Sequence, residues 1–212
     1  MSSLETLQGD NPEWHQARLG KVTASRMADL TAKTKTGYGA SRANYMAEKL
    51  IERLTGKPTD TFKNDAMRWG TEQEPFARTA YEFYRSCDVE QVGFINHPVI
   101  VGAGASPDGL IGSDGMLEIK APNTATHLET LETEKIPQRY VLQMQFQMAS
   151  CGRQWCDFVS FDPRLPEEMK LFIKRLERDD ETIKQLETET LAFLDELNRR
   201  EREIRSKYGK AD

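Results

Sequence analysis

The feature that most narrows the possible folds is a change of apolar period along the chain. Towards both ends, apolar residues return every three or four positions, the spacing of one helical face. The middle instead breaks into short β-rich runs: Glu90 to Asn96, Val99 to Ala105, Gly109 to Ile111 and Met116 to Lys120. His97-Pro98 and Gly112-Ser113-Asp114-Gly115 punctuate these runs as turns. Helices are predicted from about Arg42 to Leu54, from Trp69 to Tyr84 with Phe76, Ala80 and Phe83 on the apolar face, and from Pro137 to Ser150. Ser25 is placed to cap a short helix starting at Arg26, and the polar stretch Thr31 to Ser41 reads as a loop. Trp155 to Phe161 reads as a last strand. From Pro166 onward Leu176, Ile183, Leu186, Thr190, Phe193 or Leu194, Leu197 and Ile204 suggest helix throughout. This pattern is α+β: a central mixed β-sheet flanked by helices, with a long C-terminal helical segment over 166–212. At 212 residues, one domain over 1–212 is expected.

Composition removes several classes. The longest nearly uninterrupted apolar stretch, Val99 to Ala105, falls far short of the roughly 20 residues of a membrane span. No basic segment followed by an apolar core opens the chain, so no secretory signal is expected. Cys87, Cys151 and Cys156 form no C-x-x-C pair, and a reducing cytoplasm is the expected compartment. With 29 Lys+Arg against 34 Asp+Glu, the net charge of −5 argues against indiscriminate coating of nucleic acid. A local basic groove stays compatible with it, because potential follows the distribution of charge. His15, His97 and His127 are scattered, without metal-ligand spacing.

The chemistry is concentrated in Ser106-Pro107-Asp108-Gly109 and Leu117-Glu118-Ile119-Lys120. Strand alternation puts Glu118 and Lys120 on one face, and the Gly112–Gly115 turn returns that strand towards Asp108. Two carboxylates and an ammonium would then converge at one end of a sheet. Such an oxygen-rich site suits Mg²⁺, which takes one or two carboxylates and completes its shell with water and substrate phosphate. The bland alternative is a surface hairpin carrying solvated charges. Arg18 near Ser25 also has the makings of an anion site, by fork geometry and orphan amides.

The spacing P-D-x9-E-x-K resembles the signature of the PD-(D/E)xK nuclease superfamily. Trp14-His15-Gln16-Ala17-Arg18 through Thr23-Ala24-Ser25, Trp69-Gly70-Thr71-Glu72-Gln73-Glu74, Tyr140-Val141-Leu142-Gln143 and Asp162-Pro163-Arg164 extend the likeness. In order and spacing these resemble the lambda exonuclease family, from roughly Trp14 to Arg164. The resemblance implies a restriction-endonuclease-like fold and a Mg²⁺-dependent 5′→3′ exonuclease acting on linear double-stranded DNA, with a two-metal site and Mn²⁺ as a substitute. It implies Asp108, Glu118 and the Ile119 carbonyl as metal ligands. Lys120 would act on the attacking water, Gln143 would position Lys120 or the water, and Glu74 would serve a second metal or its waters. Arg18, Ser25 and Ser106 would take the 5′-phosphate. Met67 would be either a wedge between the strands or an ordinary core methionine.

Lys33, Lys35 and Arg42, around a glycine-containing loop, would contact duplex phosphates or be solvated; Arg26, Lys63 and Arg68 could line the same channel. Kinship further implies a ring-shaped homotrimer and an annealing recombinase as partner. The C-terminal helix would serve as subunit contact or pack on its own domain. Two rival readings are an endonuclease of the same superfamily and a catalytically silent DNA-binding or assembly protein.

Overall fold

The computed structural model describes residues 12–59 and 65–209. In chain order the elements are α1 (Pro12–Arg18), β1 (Val22–Thr23), a 3-10 turn (Ala24–Arg26), α2 (Met27–Leu30), β2 (Lys33–Thr34), β3 (Gly37–Tyr38), α3 (Ala40–Thr55) and α4 (Asp65–Arg85). There follow β4 (Ile95–Asn96), β5 (Ala103–Ala105), β6 (Gly109–Ile111), β7 (Gly115–Lys120), α5 (Thr124–Thr133) and α6 (Gln138–Cys151). The chain closes with β8 (Trp155–Phe161), a 3-10 turn (Glu167–Met169), β9 (Leu171–Glu177) and α7 (Asp180–Tyr208). The α+β class, the mixed sheet and the long C-terminal helix are as expected.

The main sheet runs β6-β7-β8-β9, with β7 and β8 parallel and both outer pairs antiparallel. Alternation on β7 sends Leu117 and Ile119 to one face, where they pack with Val159 and Phe161 against Ala77 and Tyr81 of α4. Met116, Cys156 and Phe158 point to the other face, against Met144 and Met148 of α6. The sheet is therefore clad on both sides, and the polar residues Glu118 and Lys120 of β7 lie on the face that α6 covers. A third apolar cluster joins Val22, Met27, Leu30, Tyr45 and Ala103 to Phe146 of α6 and Phe193, Leu194 and Leu197 of α7. Helix α6 thus serves two cores, and its residues from Gln143 to Ser150 are all buried. It ends at Gly152, whose φ of +66° is the left-handed cap that glycine adopts freely.

Several sequence expectations require correction. The polar stretch before α3 is a small hairpin, β2–β3, pinned to α7 by Lys33 and Tyr38, which both reach Glu189. The run Val99 to Ala105 is strand only at its end; Val99 and Val101 are exposed on the turn that precedes Gly102. Glu90 to Asn96 contributes only β4 and one bridge. On α4 the buried face is Ala77, Arg78 and Tyr81, while Phe76 and Phe83 face solvent. After Pro166 the chain first makes the edge strand β9, so Leu176 belongs to the sheet. Helix α7 begins only at Asp180, capped by Asp179, whose side chain accepts from the Glu181 amide. Among the described residues no helix is long and apolar enough to cross a membrane.

Candidate active site

The β6–β7 hairpin brings the three sequence-predicted groups together. Residue 109 must be glycine, because a Cβ there would lie 2.1 Å from Val89 Cγ1. Asp108, immediately before it, is clipped onto β7: its Oδ2 accepts from the Ile119 amide at 2.6 Å, and its own amide donates to the Leu117 carbonyl at 3.2 Å. Glu118 is 1% exposed and points towards α6. There Gln143 Nε2 donates to its Oε1 at 2.6 Å and Gln147 Nε2 to its Oε2 at 2.7 Å, while the Lys120 ammonium pairs with Oε1. Gln143 therefore reaches Lys120 through a shared carboxylate oxygen. Burial, reinforced by the neighbouring Glu118, pushes the Asp108 carboxyl well above the usual carboxylate range. Burial works against the charge on Lys120, but Glu118 and Asp108 overcome it and hold the ammonium above its ordinary value.

Glu74 approaches from α4. Burial raises its carboxyl, opposed by Arg78 and Lys120 and assisted by Glu118, so all four groups share one field. Its direct partner is Arg78, which donates to Glu74 through Nη2 and to the Asp108 carbonyl through Nε at 3.3 Å. The Gln91 amide oxygen, turned towards the same guanidinium, takes a further donor. Among the described residues no three His, Cys, Asp or Glu side chains gather into a metal cage. A site of one or two carboxylates that leaves positions for water and phosphate is the arrangement natural to Mg²⁺.

A cavity of about 890 Å³ opens beside Asp108 and Glu74. Arg18 lies on its wall, donates through Nη1 to Ser106 Oγ at 3.1 Å, and stacks on the Trp14 ring at 4.0 Å. Trp14 Nε1 donates to the same hydroxyl at 3.1 Å. Burial lowers the Arg18 guanidinium to about 10, which leaves it charged at neutral pH. Ser25 lines the cavity but does not cap a helix. It sits inside the 3-10 turn, its Oγ 3.4 Å from Thr23 Oγ1, and no side chain caps either that turn or α2.

Met67 is half exposed on the cavity wall, so it is not a core methionine. Arg26 and Arg68 also line the cavity, the first tied to Asp29 and Glu48, the second to Asp65. Lys63 lies outside the described residues. Lys33, Lys35 and Arg42 do not line the cavity. Arg42 is a structural residue and not an exposed phosphate contact: it is 5% exposed, pairs with Glu196 at 2.8 Å and lies over the Tyr38 ring at 3.9 Å. His127 joins α5 to the sheet, bonded to Ser160 Oγ at 2.7 Å and to the Met169 carbonyl at 2.8 Å.

Three residues of the site escaped the sequence reading: Trp14 as a hydrogen-bond donor, Arg78 and Gln147. The last two could have been found by helical geometry, since Arg78 lies four residues after Glu74 and Gln147 four after Gln143.

The chain matches the YqaJ-like viral recombinase domain over residues 13–154. It is similar to the alkaline exonuclease LHK-Exo of Laribacter hongkongensis, with 53% identity and a TM-score of 0.87, covering 92% of this chain and 96% of that one. One of the two LHK-Exo crystal structures is a complex with dAMP. A phage-related exonuclease from Haemophilus somnus 129PT shares the fold at 16% identity, with a TM-score of 0.71 over 87% of this chain and 96% of that one. Comparison with curated proteins gives no match. The hairpin, the glutamine helix and the arginine-lined cavity thus lie on the fold of the phage-type exonucleases, and the chain belongs to the YqaJ-like viral recombinase domain family.

Proposed function

We propose that this protein is a Mg²⁺-dependent 5′→3′ exonuclease. In this reading it removes mononucleotides from the 5′-phosphorylated strand of linear double-stranded DNA and leaves a 3′ overhang for an annealing recombinase. Family membership and the 53% identical alkaline exonuclease support a recombination exonuclease in general. The observation that carries the finer reading is the convergence of Asp108, Glu118 and Lys120 beside a cavity walled by Arg18. The donor set fits a hard divalent cation. It is all oxygen, and burial together with Glu118 raises the Asp108 carboxyl, a penalty on the charged form that a bound divalent cation would offset.

Asp108, Glu118 and the Ile119 carbonyl would hold the ion, and Glu74 would act on its waters. Bound Mg²⁺, or Mn²⁺ in its place, supplies an acidified water and neutralises charge on the phosphoryl oxygens. Lys120, held by Glu118, would orient the attacking water and stabilise the charge that develops on the phosphoryl oxygens. Arg18, Ser25 and Ser106 hold the terminal 5′-phosphate and set the register, while Met67 wedges between the parting strands. Selection rests on ends and backbone, because these contacts address phosphate and not base edges. A ring-shaped homotrimer would keep the substrate threaded between cycles.

The test is a time course on end-labelled linear duplex, with or without a 5′-phosphate, in Mg²⁺ or EDTA, beside covalently closed circles. Mononucleotides should leave the 5′ strand only with Mg²⁺ and more slowly from unphosphorylated ends. Arg18→Ala should erase the difference between the two ends. Ready cutting of closed circles would favour an endonuclease. Absence of acid-soluble product, with Lys120→Ala changing nothing, would favour a silent binding protein.

A further inference from the structure

Gln145 and Gln147 are both buried on α6, two residues apart and on different sides of the helix, yet their hydrogen bonding differs. Gln145 is satisfied at both ends: its Nε2 donates to the Glu177 carbonyl at 2.8 Å, and its Oε1 accepts from the Asp179 amide at 2.9 Å. It fastens the β9–α7 junction. Gln147 spends its Nε2 on Glu118 Oε2 at 2.7 Å, and among the described residues nothing donates to its buried Oε1. An orphaned buried carbonyl costs stability. Turning the amide over would aim that carbonyl at the Glu118 carboxylate, so the orphan is the consequence of gripping Glu118. Its helix neighbours Met144 and Met148 pack in the apolar layer under the sheet; a methionine at 147 would fit that layer but would take the donor from Glu118 Oε2.

We propose that Gln147 is a positioning residue: it fixes the second oxygen of Glu118 and so holds the carboxylate in place for Lys120 and the metal. The inference rests on the reading of Glu118 as a metal ligand given above. Gln143 and Gln147, one helical turn apart, hold the two oxygens of the carboxylate separately and set its plane. With Gln143 alone, the carboxylate would keep one fixed oxygen and could rotate about it. Partners of metal-binding carboxylates typically matter about 10–100-fold in metal affinity or activity.

The experiment compares full-length wild type, Gln147→Met, Gln147→Asn and Gln145→Met. It reads the thermal midpoint without metal, Mn²⁺ binding by titration calorimetry, and kcat and KM on linear duplex across Mg²⁺ concentrations. Gln147→Met removes the donor to the buried Glu118 Oε2 and should melt modestly below wild type, bind Mn²⁺ about 10–100-fold more weakly and need correspondingly more Mg²⁺, with KM for duplex unchanged. Gln147→Asn keeps an amide too short to reach Glu118 and should lose metal affinity alike. Gln145→Met should also melt lower but keep Mn²⁺ binding intact, which separates a structural loss from loss of positioning. Wild-type Mn²⁺ affinity in both residue 147 variants, or failure of both to fold, would overturn the proposal. A wild type that binds no Mn²⁺ and has no Mg²⁺-dependent activity would instead overturn the underlying active-site reading.

Discussion

Removal of Arg78 asks whether the acidic cluster is braced from behind. This guanidinium links Glu74 of α4 to the Asp108 carbonyl, with the Arg78 and Glu74 side chains only 11% and 24% exposed. Hydrogen bonds to charged groups are worth about 1.5–3 kcal/mol net. Breaking a fully buried ion pair costs about 3–5 kcal/mol, because one charge is left stranded. Partial solvation places this pair below that range, so Arg78→Gln should cost about 2–3 kcal/mol of stability.

Burial already raises the Glu74 carboxyl, and Arg78 is the largest influence opposing that rise. Without Arg78 the carboxyl is stranded, so adding Glu74→Gln should return about 1–2 kcal/mol. Urea unfolding of wild type, both single variants and the double variant gives the coupling directly, and raised salt should reduce it only modestly at such low exposure. Effects that add to within about 0.5 kcal/mol would show that the two groups do not act as a pair, and would refute the bracing argument.

Two further outcomes are expected. His97 Nδ1 accepts from the Ile100 amide at 3.2 Å, and its Nε2 lies 3.2 Å from a Glu187 carboxylate oxygen. Burial, partly opposed by Glu187, lowers the imidazole below its ordinary 6.5. As pH falls through that value the unfolded chain takes up the proton first, so stability should drop from about pH 6.5 down to the depressed folded value, by about 1.4 kcal/mol per unit of depression. Urea melts from pH 7 to 5 should show a shallower decline in His97→Asn; parallel curves would reject the assignment. Arg42→Met should leave the salt dependence of duplex binding unchanged, since its guanidinium is committed to Glu196. A slope reduced by about one would restore Arg42 as a phosphate contact.

The β6–β7 hairpin was legible because two strong signals coincide there: the period-two alternation of Leu117 to Lys120, and a glycine-bounded turn that returns the strand towards Asp108. The apolar face of α4 was not. Phe76, Ala80 and Phe83 satisfy the helical spacing as well as Ala77 and Tyr81 do. The contest is settled by the sheet, which admits a small residue at Ala77 and offers Asp157 to the Tyr81 hydroxyl at 2.8 Å. Strand β9 was hidden for a related reason. As an edge strand it carries Lys174, Arg175 and Glu177, and its Leu176 falls by accident into the spacing of the following helix. The i,i+4 spacing puts Arg78 beside Glu74 and Gln147 beside Gln143, but the partners more than 25 residues away, Asp108 for one and Glu118 for the other, come only with the tertiary fold.

Helix α6 contributes apolar side chains to two separate cores and holds Glu118 with two glutamines one turn apart. A rod wedged between two packed bodies has no slack: a shift along its axis would break the fit on both flanks at once. The alignment of the acidic oxygens is thereby tied to the integrity of the whole chain, so partial loosening anywhere around this rod should disarm the chemistry before the molecule comes apart.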